Sequence, residues 1–375
     1  MTDQLKEKNL IFFNPSIEGG GVEKNLFLLI KFISGKIKNC FLITANNEKD
    51  IKRKSRIQVI CPSNSFWNKK SRILKTFISL IYLVKLCLIK KNVVIFSFQS
   101  NLYALIIAQI LRRKIIIRSN ASTAGYINNP IKRKIFSFFF SLADVVICNS
   151  NEFKKNLKKD LNIKSTLIYN PNYTKEEVSV LASKKVKNSF YNKKYLNILN
   201  VGRLVKQKDQ ITLLKAFSKL LLKRKARLII MGNGSEKKNI LKYILLNKIN
   251  KNVKLINYQK NPYPYINSCD VFVLTSLYEG LPNVLIEAIS LKKFIISTNC
   301  PTGPKEILRN GEYGDLIKLK DHINLYKKLI KFNKTKPYYK NKINKAYKSL
   351  DRFDYFKNCN EYLKIVNSQF INYEN

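Results

Sequence analysis

The chain of 375 residues is long enough to form two domains of ordinary size, each with its own buried core. Its 45% hydrophobic and 11% aromatic content exclude a disordered chain. With 70 basic against 24 acidic residues the formal net charge is +46, which favours anionic partners such as nucleic acid, a membrane surface or phosphorylated ligands. The alternative is compositional bias, because Lys, Asn and Ile are abundant throughout the chain.

The cysteine and histidine content limits the possible chemistry. Seven cysteines occur singly, without a CxxC pair, which predicts reduced thiols in a cytosolic protein instead of disulfides or zinc ligands. The chain has one histidine, His322, so metal sites and catalytic pairs based on histidine are not expected. The first residues are polar and mixed in charge, and lysines interrupt the most apolar stretch, 73–89. Neither a signal peptide nor a membrane-spanning helix is therefore expected.

Short apolar runs alternate with helical patterns through residues 1–170, which predicts a domain built on a doubly wound, mainly parallel sheet. The predicted strands are 9–13, 40–44, 57–61, 93–98, 114–118, 144–148 and 165–169. The predicted helices run from a glycine-rich loop to about residue 32, and over 68–90, 102–111, 130–142 and 151–159. The second of these helices has one apolar face, formed by Ile73, Phe77, Ile81, Val84 and Leu88.

The glycine-rich loop lies between the first strand and the first helix and contains Gly19, Gly20 and Gly21. A run of glycines in this position lets the backbone approach a phosphate closely. Gly20 and Gly21 are therefore candidate phosphate contacts, with an ordinary loop as the alternative.

A second α/β pattern follows the first. Residues 171–194 lack apolar periodicity and are rich in Lys, Asn and Ser, which predicts a linker between domains. A second domain is predicted over 195–340, and C-terminal helices over 341–375 are predicted to pack back on the first domain. The second domain's strands are predicted at 196–201, 227–231, 253–256, 271–274 and 294–297, and its helices at 210–222, 236–246, 264–268 and 284–291.

The segment 275–288 directly follows the predicted buried strand 271–274. It begins as a loop that contains Gly280 and Pro282 and continues as a helix, for which Asn283 is the expected cap. Loops at the carboxyl ends of parallel strands bind ligands in open α/β sheets, and the free amides of a helix start attract anions. Glu279 in the loop and Glu287 in the helix are therefore candidate ligand-binding residues.

The motif EGLPNVLIEA at 279–288 resembles the signature of the retaining glycosyltransferases of family 4, also described as glycosyl transferases group 1. This resemblance implies the GT-B fold, in which two Rossmann-like domains face each other across a cleft. Other blocks resemble the same family in the same order, namely the triple glycine with Glu23, 200–209, 231–234 and 301–308.

The resemblance implies a nucleotide-sugar donor. No Asp-x-Asp occurs, so no metal and no other cofactor are expected, and cations and backbone amides must meet the charge of the leaving diphosphate. Arg203 and Lys208 are the expected phosphate ligands, Glu287 would hold the ribose, and Glu279 would hold the transferred sugar. The alternative for Arg203 and Lys208 is solvated surface charge. The remaining expected donor contacts are Gly20, Gly21, Gly232, Asn233, Gly280, Leu281, Pro282, Asn283 and Val284.

The acceptor side is expected in the first domain. Many members of the family carry a histidine in an acceptor loop, whereas the equivalent stretch here, 118–123, offers Arg118 and Asn120. The basic and aromatic segments 67–91 and 130–142 would suit an anionic membrane that carries a lipid-linked acceptor. The alternative is that both segments are core helices with lysine-rich solvent faces.

Together these patterns predict a cytoplasmic enzyme that is peripheral on the inner face of the membrane. It would move a hexose or N-acetylhexosamine from a UDP-sugar to a lipid-linked or polysaccharide acceptor in surface-glycan synthesis, with retention of the anomeric configuration. The alternatives are a transferase that uses GDP-sugars or is of the glycogen type, and a non-enzymatic basic protein that binds nucleic acid. No recognised nucleic-acid-binding motif is present.

Overall fold

A computed structural model describes residues 8–47, 51, 57–119, 129–184 and 190–371. The strands within these ranges are β1 (Asn9–Phe13), β2 (Asn39–Ile43), β3 (Gln58–Ile60), β4 (Val93–Ser97), β5 (Lys114–Arg118), β6 (Val145–Cys148), β7 (Thr166–Leu167), β8 (Leu196–Val201), β9 (Ala226–Met231), β10 (Val253–Ile256), β11 (Val271–Leu274), β12 (Phe294–Thr298) and β13 (Asp315–Ile317). The α-helices are α1 (Gly21–Ile33), α2 (Arg72–Ile89), α3 (Asn101–Ile110), α4 (Pro130–Ser141), α5 (Asn151–Leu161), α6 (Lys175–Ser183), α7 (Gln210–Leu221), α8 (Lys237–Leu246), α9 (Tyr263–Ser268), α10 (Asn283–Ser290), α11 (Pro304–Ile307), α12 (His322–Lys331), α13 (Pro337–Lys348) and α14 (Tyr355–Ile371). Short 3₁₀ turns occupy Ser65–Lys69, Lys206–Lys208, Arg309–Gly311 and Ser349–Phe353.

The chain forms two compact units. The first unit combines residues 1–171 with 355–375, and the second comprises 172–354. The domain limits predicted above differ from these at the end of the chain, because α13 belongs to the second unit. Its Tyr339 and Ile343 pack in that unit's core, so within 341–375 only the part from residue 355 onward joins the first unit.

The first unit contains a seven-stranded sheet in the order β3-β2-β1-β4-β5-β6-β7, with every pair parallel. The central strands β1 and β4 are buried along their whole length, as their continuous apolar runs predict. One face of the sheet shares a core with α2, α3, α4 and α5. Helix α14 packs against α1 and β4.

The second unit contains a six-stranded parallel sheet in the order β10-β9-β8-β11-β12-β13. The strand order reverses between β8 and β11, which are neighbours in the middle of the sheet. Such a reversal creates the crevice at the carboxyl ends of the strands where open α/β sheets bind ligands. The loops after β8 and β11, residues 202–209 and 275–282, both begin at this point.

The predicted linker, 171–194, contains helix α6, which was not predicted from the sequence. Thr174 caps this helix by accepting from the Glu177 amide at 3.3 Å, and the Glu177 carboxylate accepts from the Thr174 amide at 3.1 Å. This capping box provides hydrogen-bond partners for amides at the start of the helix. Val178 of the same helix is buried. No helix in the described part of the chain combines the length and apolarity needed to cross a membrane.

Candidate active site

The loops that follow β8 and β11 are held together by hydrogen bonds. The Leu277 amide donates to the Gln207 carbonyl at 2.8 Å, and the Gln207 side chain donates to the Tyr278 carbonyl at 2.8 Å. The Thr275 hydroxyl donates to the Lys208 carbonyl at 3.1 Å. The basic loop and the glutamate loop, about 70 residues apart in the chain, therefore form one structural element at the switch point of the sheet.

Lys208 and Glu279 form an ion pair in this element. Both side chains are largely withdrawn from water, with 13% of Lys208 and 7% of Glu279 exposed. The hydroxyl of Ser276 also donates to Glu279 Oε1, at 2.5 Å. Charge interactions are stronger in such partly dehydrated positions than on a solvated surface, so these groups fix one another's orientation.

The segment after β12 fixes the backbone of the glutamate loop. The Thr302 hydroxyl donates to the Glu279 carbonyl, and the Thr298 hydroxyl donates to the Ser276 carbonyl at 2.6 Å. Gly303 has a φ of +40°, and a Cβ atom there would lie 1.8 Å from the Gly280 carbonyl oxygen. Only glycine permits this approach, so the path of the loop depends on a residue more than twenty positions away.

Cys300 lies close enough to this cluster for the charge of Glu279 to act on its thiol. Burial, and then the negative charge of Glu279, raise the pKa of Cys300 to about 12. The thiol is therefore protonated at neutral pH and serves as part of the buried wall behind the carboxylate.

Arg203 lies in the same loop as Lys208, but its side chain is exposed. Among the residues that the structure describes, the Arg203 guanidinium makes no ion pair. The end of β9 supports this loop closely: a Cβ on Gly232 would lie 1.9 Å from the Gly202 carbonyl oxygen. The Asn233 carbonyl accepts from the Leu204 amide at 2.8 Å. Gly232 and Asn233 therefore position the arginine loop.

Helix α10 begins at Asn283, with Pro282 in the capping position and in extended conformation. The expectation that Asn283 caps this helix is wrong, because Asn283 is already the first helical residue. No side chain bonds back from the cap position, so the opening amides of the helix are not closed by Pro282. Leu281 and Pro282 are buried, whereas Asn283 and Val284 are partly exposed.

Glu287 is buried on α10 and lies near two tyrosines. Burial raises the pKa of Tyr173 and of Tyr263, and the negative charge of the nearby Glu287 carboxylate raises both further. The two rings are 6.0 Å apart between centroids, and the Tyr263 hydroxyl donates to Asn172 Oδ1 at 3.4 Å. Glu287 thus has a polar, aromatic environment unlike that of Glu279.

Two of the expected donor contacts, Gly20 and Gly21, lie in the first unit at the start of α1. Gly20 is the capping residue of α1, and Gly21 is its first residue. The Gly20 amide donates to its own helix's Glu23 at 2.9 Å, so a protein carboxylate already occupies this helix start.

Arg118 is 1% exposed and donates from Nε to the Tyr362 hydroxyl at 2.8 Å and from Nη2 to Asn170 Oδ1 at 2.5 Å. The structure therefore places Arg118 in the interior of the first unit, where it binds α14. Asn120 lies outside the described residues.

Several site residues were absent from the candidates predicted from the sequence. Ser276 stands three residues before Glu279 in a tight loop, and this spacing is the signal that could have identified it. The hydroxyl of Thr302 belongs to the block 301–308, whose position after a buried strand is a similar signal. Tyr173 and Tyr263 are far from Glu287 in the chain, and no local pattern connects them to it.

Residues 182–349 match the family model described as Glycosyl transferases group 1. Over 224 residues the chain is 38% identical to an uncharacterized glycosyltransferase of Methanocaldococcus jannaschii, and the match covers 54% of each protein. Over 242 residues it is 26% identical to the N-acetylgalactosamine-N,N'-diacetylbacillosaminyl-diphospho-undecaprenol 4-alpha-N-acetylgalactosaminyltransferase of Campylobacter jejuni, covering 63% of this chain and 64% of that one. The chain thus matches between half and two thirds of the length of these relatives.

The fold is similar to that of a solved structure. The crystal structure of Anabaena HepE in complex with UDP and glucose superposes with a TM-score of 0.76 at 17% identity, over 96% of this chain and 100% of HepE. This similarity confirms the predicted GT-B fold class, an α/β chain with two parallel sheets.

Proposed function

We propose that the chain is a member of the glycosyl transferases group 1, whose family model matches residues 182–349, and that it transfers a sugar from a UDP-sugar to a lipid-linked or polysaccharide acceptor. The observation that carries this proposal is the Lys208–Glu279 pair at the switch point of the second sheet. Lys208 can bind a phosphate and Glu279 can bind sugar hydroxyls, and the two side chains lie side by side where such sheets bind ligands. The transferred group would be a hexose or N-acetylhexosamine, and the pathway one of surface-glycan synthesis.

Two cations and a helix start would hold the diphosphate of the donor. Arg203 has an exposed planar guanidinium that suits bidentate phosphate binding, and Lys208 supplies a point charge. The opening amides of α10 lie in the same loop as Glu279. Since fixed positive charge stabilises a leaving diphosphate as its negative charge grows, we propose that transfer proceeds without a metal ion.

The nucleoside would extend toward Glu287. A buried carboxylate can accept hydrogen bonds from two ribose hydroxyls, as acidic residues do in dinucleotide-binding folds. Two relatives support the choice of donor and acceptor: HepE was solved with UDP and glucose, and the Campylobacter enzyme is named for transfer to a diphospho-undecaprenol glycan.

The proposed reaction retains the anomeric configuration, as in family 4. Glu279 Oε1 is bound by both Lys208 and Ser276, which lowers the nucleophilicity of that oxygen. We therefore assign Glu279 to binding and charge stabilisation. The acceptor hydroxyl would attack from the side of the departing phosphate, to which its proton is transferred. Transfer to a lipid-linked acceptor would occur at the cytoplasmic face of the membrane, with the protein bound peripherally.

Nucleotide-dependent thermal stabilisation tests this function. UDP and UDP-sugars should raise Tm, because a ligand present at 100 times its Kd adds about 2.7 kcal/mol of stability to the folded state. Arg203→Met should reduce the shift. Stabilisation by GDP and not by UDP would refute the choice of nucleotide. The absence of any nucleotide effect, together with salt-sensitive DNA binding, would refute the transferase and favour the nucleic-acid-binding alternative.

A further inference from the structure

Helix α2 lies on the first sheet in an unusual orientation. A surface helix normally buries its apolar stripe and exposes its polar side. Helix α2 buries Leu83, Leu86 and Cys87 in the core, but a second apolar stripe faces solvent, with Ile73 81%, Phe77 63% and Ile81 48% exposed. On the inner side of the same helix, Lys75 and Ser79 are buried. The helical pattern thus marks a face that the first unit leaves uncovered.

The exposed apolar surface extends beyond α2. Helix α3 packs between α2 and α4, so the three helices lie side by side over the same face of the sheet. We call the outer face the set of exposed apolar residues on the turn at 65–69, on α2 and on α4. Its members are Phe66, Ile73, Leu74, Phe77, Ile81, Leu88, Ile89, Ile131, Ile135 and Phe138. An apolar patch built from several helices is more than the scattered exposure that any surface shows.

The segment that forms the outer face carries charge of a single sign. Residues 51–143 contain 18 Lys and Arg and no Asp or Glu. On the same helices as the outer face, Lys85 is exposed on α2, and Lys132, Arg133 and Lys134 are exposed on α4. An apolar centre with a basic margin is the composition of surfaces that lie in the interface of an anionic membrane.

We propose that the outer face inserts its apolar side chains into an anionic lipid bilayer. This inference extends the proposed function and rests on it for its biological purpose, since a lipid-linked acceptor would lie in that bilayer. The depth of insertion is that of an interfacial helix, because the apolar residues occupy one face of α2 and α4.

A second copy of the chain is a poorer partner for this face. A twofold interface brings the same surface of both subunits together, so the exposed lysines of one copy would meet those of the other. The sequence from 51 to 143 offers no carboxylate that could neutralise them. Nucleic acid is likewise a poorer partner, because seven of the ten members of the outer face are Ile or Leu, which offer no aromatic surface for bases to stack on.

The outer face is connected to the glycine-rich loop of the first unit. Arg72, the first residue of α2, binds Glu18 with both ends of its guanidinium, at 2.9 Å from Nε and 2.6 Å from Nη2. The Ser16 hydroxyl also donates to Glu18 at 3.1 Å. A bilayer bound to α2 would therefore lie beside the loop that carries Gly20 and Gly21.

The chain provides its own optical probe for the test. Its single tryptophan, Trp67, lies in the turn that leads into α2 and is partly exposed. With vesicles of phosphatidylglycerol and phosphatidylcholine, Trp67 emission should shift to the blue, and lipids brominated on the acyl chains should quench it. The Phe77→Ser/Ile81→Ser variant should partition into these vesicles at least tenfold less strongly.

The matched control makes the same chemical change in the second unit. Leu222 and Leu246 are 80% and 71% exposed, and Leu222→Ser/Leu246→Ser should partition within twofold of the wild type. Unchanged partition of Phe77→Ser/Ile81→Ser would overturn the proposal. So would binding without quenching by brominated lipid, which would indicate electrostatic adsorption alone. Loss of a dimer by the same variant in sedimentation, with vesicle binding intact, would assign the face to self-association instead.

The vesicle test is independent of the transfer reaction. The vesicles contain neither donor nor acceptor, so the two proposals can fail separately. A protein that binds the vesicles, is stabilised by no nucleotide and binds DNA in a salt-sensitive manner would retain the membrane proposal and refute the transferase. The reverse result would refute only the bilayer partner. UDP-dependent stabilisation should be the same in Phe77→Ser/Ile81→Ser as in the wild type, since neither residue belongs to the donor-binding machinery.

Discussion

Replacing Glu279 by Gln should separate catalysis from nucleotide binding. The amide keeps an oxygen that can accept from Ser276 and Lys208, so the hydrogen bonds persist while the negative charge is lost. That charge lies beside the sugar in our assignment, where positive charge grows at the anomeric carbon as the phosphate departs. Removing one such preorganised stabiliser costs about 10²- to 10³-fold in kcat, and a hundredfold loss corresponds to about 2.7 kcal/mol.

The ion pair predicts how nucleotide affinity should respond. In the ligand-free protein Glu279 neutralises part of the charge of Lys208, and both side chains are largely buried. With Gln at 279 the lysine charge is fully available to the diphosphate. The Kd for UDP should therefore stay the same or fall, while kcat falls about a hundredfold.

Glu287→Gln supplies the contrast and Glu312→Gln the control. A residue that holds the ribose contributes equally before and during the reaction, so Glu287→Gln should raise the donor KM with a smaller effect on kcat. Glu312 pairs with Lys345 on the surface of the same unit, and its neutralisation should leave both constants unchanged. Initial rates give kcat and the donor KM, and calorimetric titrations give the Kd for UDP. Loss of UDP binding in Glu279→Gln, or identical defects in the two variants, would refute the assignment.

Three further predictions concern metal, membrane and pH. Activity should be complete in excess chelator, because the proposed cations are Arg203 and Lys208; an activity that disappears and returns with magnesium or manganese would contradict this. The variant Lys85→Glu/Lys132→Glu/Lys134→Glu should bind anionic vesicles at least a hundredfold less, since each cation near the surface contributes about 1 kcal/mol, and unchanged partition at physiological salt would contradict that estimate. Burial raises the pKa of Asp315, but its two lysine partners lower it more, to a net value below its usual range. The stability that the Asp315 carboxylate confers is present above its unfolded-state pKa of about 3.9 and is lost as pH falls through the lower folded-state pKa. Urea titrations of Asp315→Asn should therefore show a free energy of unfolding about 3 kcal/mol lower than that of the wild type at pH 7. The stability of this variant should also depend less on pH in the acid range.

Strand positions could be predicted from the sequence wherever an apolar run was continuous. The bounds of β1, β5, β8 and β11 agree with the predicted ones, because parallel strands buried on both faces carry mainly apolar residues. The bounds of β10 also agree, although it is an edge strand with Lys254 exposed. Strand β13 was missed since it has three residues, one of them Asp315, whose burial depends on lysines distant in the chain. Helix α6 was missed although Thr174 and Glu177 form a capping box that the sequence displays.

Periodicity predicted which residues share a face of α2 but not the direction of that face. The pattern of Ile73, Phe77 and Ile81 is the same whether the helix faces a core or solvent, and the packing of Leu83 and Cys87 against the sheet decides between them. The interactions of the candidate site were likewise beyond local pattern. Glu279 was identified from its motif, but its pairing with Lys208 follows from the adjacency of β8 and β11, which is a property of strand order.

The discontinuity of the first unit has a consequence for protein synthesis. The 183 residues of the second unit, 172–354, are made after β7 and before α14. At about 5–20 residues per second this interval lasts about 10–40 s, during which Arg118 lacks the Tyr362 hydroxyl that it binds in the finished protein. The second unit is contiguous and has its complete sequence before α14 leaves the ribosome. The second unit can therefore fold before the first unit is complete. The hydrogen bond between Arg118 and Tyr362 in the first unit can form only after residue 362 has been translated.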